Sequence, residues 1–105
     1  MNEISVNELK RRHDAGEDLI LLDVREPDEL ATVSIAWATA IPMAEIPSRM
    51  GELPSDTPIV VMCHHGGRSE RVTRFLNANG YENAINLTGG IDDYAVSVDP
   101  SLPRY

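Results

Sequence analysis

An α/β fold with a mainly parallel central sheet is the architecture this sequence predicts, and two observations carry the prediction. Leu19–Val24 and Pro58–Cys63 are short, nearly continuous apolar runs, the pattern of strands buried on both faces. The segments between and after them carry capping residues and apolar residues at helical spacing. Strands that alternate with helices pair in parallel, with helices covering both faces of the sheet. A chain of 105 residues supports one core, expected over residues 1–97, with 98–105 as an extended C-terminal tail.

Ser5 and Glu8 have the spacing of a capping box, in which the Ser5 hydroxyl accepts from the Glu8 N–H and the Glu8 carboxylate reaches back. A helix over Val6–Asp14 follows, and Gly16 suits its exit. The first long strand ends on Asp23, Val24 and Arg25, bringing charge to a strand end, where α/β proteins place ligands. Pro27 in the first turn opens a short helix at Glu26–Glu29. Ala38–Ile41 reads as a brief strand stopped by Pro42, and Ile46–Leu53 as a helix entered near Pro47. After the second long strand, Val72, Phe75 and Leu76 lay a helix over Ser69–Asn79 on the sheet, and Asn79-Gly80 closes it. Ala84–Leu87 is a third short strand, and Gly89-Gly90 turns the chain into Ile91–Val96.

Composition excludes several classes. Nine basic against 17 acidic residues give a formal charge of −8, which repels nucleic acid and anionic membrane. No apolar run approaches the roughly 20 residues of a spanning helix. Met-Asn-Glu-Ile-Ser at the start lacks the basic-then-apolar order of a secretory signal, so a cytoplasmic location is expected. The single cysteine, Cys63, rules out an intramolecular disulfide and a multi-cysteine metal site. His64 and His65 beside it do not complete a metal site either, since adjacent side chains diverge and no carboxylate neighbours them in sequence; neither metal nor cofactor is expected.

The chemistry concentrates in Cys63-His-His-Gly-Gly-Arg-Ser69. Cys63 follows a buried strand, and Arg68 and Ser69 open the next helix. Gly66 and Gly67 permit backbone conformations closed to other residues, so successive N–H groups can turn toward one point. That point also lies at a helix N-terminus, which favours negative charge. A sulfur held there is favoured as an anion, hence as a nucleophile. The same cradle would attract a small anion against the overall charge, and it suits several chemistries; inert packing of a buried cysteine is the simplest competing account.

With these residues in view, the chain resembles a single-domain member of the rhodanese family. The similarity runs through Leu21-Leu-Asp-Val-Arg-Glu-Pro27, Ile41-Pro42, Pro58-Ile-Val-Val-Met-Cys63, the Cys63-x4-Arg68-Ser69 loop, Gly80-Tyr81 and Gly89-Gly-Ile91. It implies a rhodanese-like fold and a persulfide on Cys63, with Arg68 as the loop's basic side chain and His64, His65, Gly66, Gly67 and Ser69 around the substrate. The implied reaction moves sulfane sulfur from a small anionic donor such as thiosulfate to a thiol, cyanide or protein acceptor. Related phosphatases place one residue more between cysteine and arginine, so the four residues here suit sulfur better than a phosphoryl group, and a phosphatase or arsenate reductase is the lesser alternative. A persulfide-carrying module serving one protein partner is the other. Ser34, Trp37 and Tyr94 depart from the family's usual histidine, glycine and tryptophan. The tail is similar to the end of rhodanese domains attached to enzymes that activate sulfur-carrier proteins. Asp23 and Arg25 are expected to form a structural pair supporting the loop.

Overall fold

The computed structural model describes all residues from Met1 to Tyr105. Five strands, β1 (Asn2–Ile4), β2 (Ile20–Asp23), β3 (Thr39–Ala40), β4 (Ile59–Met62) and β5 (Ala84–Leu87), form one sheet in the order β1-β5-β4-β2-β3. Every neighbouring pair is parallel. The helices are α1 (Val6–Asp14), α2 (Pro27–Thr32), α3 (Ile46–Arg49), α4 (Gly67–Ala78) and α5 (Gly90–Ser97). No helix is long and apolar enough to cross a membrane.

Strand alternation divides the core in two. Leu21, Val60 and Leu87 face α1 and α5, meeting Val6, Leu9, Ile91 and Tyr94. Leu22, Ile59, Val61 and Ala84 face α3 and α4, meeting Ile46, Val72 and Leu76. Each fully buried aliphatic side chain contributes about 1.5–3 kcal/mol, so both faces of β2 and β4 stabilise the domain. That two-sided burial is why the two runs show no polar alternation.

Several local expectations change. β1 has no clear sequence signal, because only Ile4 of its three residues is buried. Ser5 does cap α1, accepting from the Glu8 N–H at 3.1 Å. Glu8, however, does not reach back; it pairs with Arg11 and Arg12, which hold its carboxyl down at about 2. The continuous helix expected over Ile46–Leu53 is four α-helical residues between two 3₁₀ turns, Met43–Glu45 and Met50–Glu52. Gly51 is a poor helix residue and Pro54 stops continuation, so the segment tightens instead of extending. Trp37 stacks on His13 with ring centroids 3.8 Å apart, so His13 on α1 is exposed yet engaged. The tail does not run extended: it turns after α5, packs Leu102 on the core, and returns along the end of the sheet.

At the C-terminal end of β2, Asp23 and Arg25 form a fully buried pair. Arg25 Nε and Nη2 donate to Asp23 at 2.9 and 2.7 Å, and Nη2 also donates to the Val33 carbonyl at 2.9 Å. The pair thereby ties the end of β2 to the chain beyond α2. Removing one partner would leave the other charge buried and uncompensated. Asp23→Ala is therefore expected to lower stability by about 3–5 kcal/mol in urea unfolding.

Candidate active site

β4 ends at Met62, and Cys63 is the first residue beyond it, buried to 1% exposure. The loop then takes only three residues, His64, His65 and Gly66, before α4 begins at Gly67. The helix thus starts two residues earlier than expected, bringing its N-terminus closer to the sulfur. Gly66 makes this possible with φ +122°, a conformation side chains rarely adopt. Its N–H donates to Cys63 Sγ at 3.0 Å. The N–H groups of His64, His65, Gly67, Arg68 and Ser69 have no acceptor within the chain. The loop that begins at this sulfur therefore carries a run of free donors.

The loop carbonyls are bonded from behind by α5. Ile91 N–H donates to Cys63 O at 2.9 Å and Asp92 N–H to His64 O at 3.1 Å. Gly90 must be glycine for this approach: its φ is +60°, and a Cβ there would lie 2.6 Å from Cys63 O and collide with His64 O. Ser69 is buried in the first turn of α4, with Oγ 3.4 Å from Sγ, 3.0 Å from Gly66 O and 2.6 Å from Asn86 Oδ1. The hydroxyl has one proton for two acceptors, and the short contact to Asn86 on β5 fixes its position. Sequence reasoning missed Asn86, although a buried polar residue inside the apolar strand Ala84–Leu87 was a visible signal.

The other predicted residues divide. His65 is exposed, with Nδ1 4.0 Å from Asp92. His64 is half-buried, its Nε2 buried without a partner, and its ring is stacked on Tyr105 at 3.9 Å and 6°. Arg68 is not free beside the sulfur: Nη1 and Nη2 donate to the two oxygens of Glu29 on α2, at 2.6 and 2.8 Å. Tyr105 O–H donates to the same carboxylate at 2.6 Å and accepts from Arg25 Nη1 at 3.0 Å. Arg104 pairs with Asp92 at 3.0 and 3.1 Å, anchoring the returning tail. Glu29, Asp92 and Tyr105 were absent from the sequence-level site because each arrives from a distant segment. The Arg68 guanidinium, followed by the Tyr105 hydroxyl, holds the Glu29 carboxyl well below the usual carboxylate range. Burial pushes the Tyr105 phenol up, which keeps it a donor.

Residues 5–97 match the sequence profile of the Rhodanese-like domain. The chain belongs to the rhodanese-like family. A protein named sulfurtransferase from Allochromatium vinosum is 40% identical over 95 residues, covering 90% of this chain and 89% of that one. A putative sulfurtransferase of Bacillus subtilis, YtwF, is 38% identical over 91 residues, 87% of each chain. Among solved structures, SSP1007 from Staphylococcus saprophyticus superposes with a TM-score of 0.86 at 34% identity, covering 99% of this chain and 100% of that one. These relatives are matched over nearly their full lengths, so the rhodanese-like domain accounts for almost all of each.

Two consequences of the loop's construction are measurable. Gly90→Ala is expected to cost about 2 kcal/mol or more in urea unfolding, because left-handed backbone and steric conflict combine there. Gly16→Ala, at φ +76° in open space, should cost only about 1–2 kcal/mol from backbone strain alone. The depressed Glu29 carboxyl contributes stability that is fully present above its unfolded value near 4.3 and is lost as pH falls toward its lower folded value. The stability advantage of wild type over Glu29→Gln should accordingly be constant above about pH 6 and shrink below about pH 4.

Proposed function

We propose that this rhodanese-like protein transfers sulfane sulfur through a persulfide on Cys63, taking it from a small anionic donor such as thiosulfate. The observation that carries this reading is the Gly66 N–H at 3.0 Å from Sγ within a run of otherwise unpaired loop N–H groups. Donors of this kind favour the thiolate, and they favour equally the terminal sulfur of a persulfide, which is also anionic. Sγ attacks the outer sulfur of thiosulfate; the new S–S bond forms as the old one breaks, and sulfite leaves with the bonding electron pair. An acceptor then attacks the outer sulfur of the persulfide, and the electrons of that S–S bond return to Cys63 as thiolate. With cyanide the product is thiocyanate; with a thiolate it is a new persulfide.

The loop supports both halves of the cycle without rearrangement, because the anion always lies against the same N–H groups. Gly66, Gly67 and Ser69 contribute backbone donors, His64 and His65 form the rim, and Arg68 closes the loop with its guanidinium paired to Glu29. The acceptor is a thiol, cyanide or a protein that accepts sulfur.

Intact-mass measurement after incubation with thiosulfate is expected to show one added sulfur atom on the wild-type protein. Cyanide should remove it, and Cys63→Ser should never acquire it. A wild-type protein that stays unmodified would count against sulfur transfer. If cyanide and small thiols leave the loaded sulfur in place while a protein acceptor removes it, the chain serves as a persulfide carrier for that partner.

A further inference from the structure

We infer that Glu29 is a specificity-determining residue: by engaging both terminal nitrogens of Arg68 it cancels the loop's guanidinium charge and lowers the advantage that a dianionic sulfur donor would otherwise have over a monoanionic one. This rests on the reading of Cys63 as the sulfur-accepting nucleophile. The pair is a fork-to-fork contact, the strongest geometry available to arginine and a carboxylate. Glu29 is itself held from two further sides. The Glu26 N–H donates to Oε1 at 3.1 Å and the Tyr105 hydroxyl to Oε2 at 2.6 Å. α2 buries none of its residues in the core, so packing does not account for where Glu29 sits.

Three arginines around the loop are each matched by a carboxylate, whereas Arg71, further along α4, has no such partner. Arg25 is matched by Asp23, Arg104 by Asp92, and Arg68 by Glu29. With Arg68 matched, what the loop itself offers an anion is its row of N–H dipoles, against a protein carrying a net charge of −8. Attraction to a free guanidinium grows with each charge on the donor, so a dianion loses more from the pairing than a monoanion does. Glu29 stays ionised throughout the neutral range, because Arg68 holds its carboxyl well down, and the counter-charge is permanent there.

Two donors isolate the charge. Thiosulfate is a dianion; methanethiosulfonate has the same outer sulfur, but a methyl group replaces one oxyanion and it is a monoanion. Attack by the Cys63 thiolate gives the same persulfide from both, releasing sulfite from one and methanesulfinate from the other. Rates of loading on the full chain give kcat/KM for each. In Glu29→Gln the ratio of thiosulfate to methanethiosulfonate is expected to rise about tenfold, mainly through KM, and the rise should shrink as salt is added. Adding Arg68→Ala to that variant should erase it. Tyr105→Phe, which removes one support of Glu29 with little change in shape, should move the ratio the same way by less, and it decides the matter if Glu29→Gln does not fold.

A structural role alone would change both donors together, without salt dependence, and that result would overturn the inference. Wild-type protein that loads normally, with a ratio unmoved in both variants, overturns this inference and leaves sulfur transfer standing. Wild-type protein loaded by neither donor removes the sulfur-transfer reading and this inference with it.

Discussion

The N–H groups of Ile91 and Asp92 bond the carbonyls of Cys63 and His64, and the rest of the loop is organised by that pair of contacts. In a trans peptide the N–H and C=O point in opposite directions, so carbonyls bonded on one side leave N–H groups facing the other. Two helix starts meet here with opposite roles. α5 satisfies the loop's acceptors, while α4, beginning at Gly67, leaves its first donors unpaired. Neither arrangement requires a bound ligand. A cradle formed in advance gives up little conformational freedom when an anion enters it.

Charge is handled separately from this backbone frame. The side-chain ions nearest the loop form closed pairs, one of them fully buried, and the tail supplies two of the residues that complete the arrangement. In the proposed reaction, attraction to the loop consequently comes mainly from fixed dipoles, which remain in place when the surface is screened by salt. Ion pairs here orient the parts, and the loop N–H groups are left unpaired.

The sheet and the loop were legible in the sequence for the same reason: their signals are local. Two buried strands announce themselves as apolar runs, and Cys63, Gly66, Gly67, Arg68 and Ser69 lie within seven consecutive residues. What was not legible depends on contacts across the chain. Glu29 meets Arg68 from 39 residues away and Tyr105 meets Glu29 from 76, distances at which spacing carries no information. Prolines disfavour regular structure and so predict an extended tail, but Pro100 and Pro103 are compatible with a turn that brings Arg104 to Asp92. The Ser5–Glu8 spacing predicts a capping box that Glu8 does not complete, since two arginines one turn on offer a charged carboxylate more than a single N–H can.

The outermost strands of the sheet are its shortest, three residues in β1 and two in β3. An exposed strand edge is a template for pairing with another chain, and its reach depends on how many backbone groups it leaves in register. Ile59–Met62, the most continuously apolar segment and the best suited to cross-chain stacking, lies in the middle of the sheet with a partner on each side. These short edges therefore act as a guard against polymerisation: the strand that leads into Cys63 is also the one in the middle of the sheet, with two strands on either side of it.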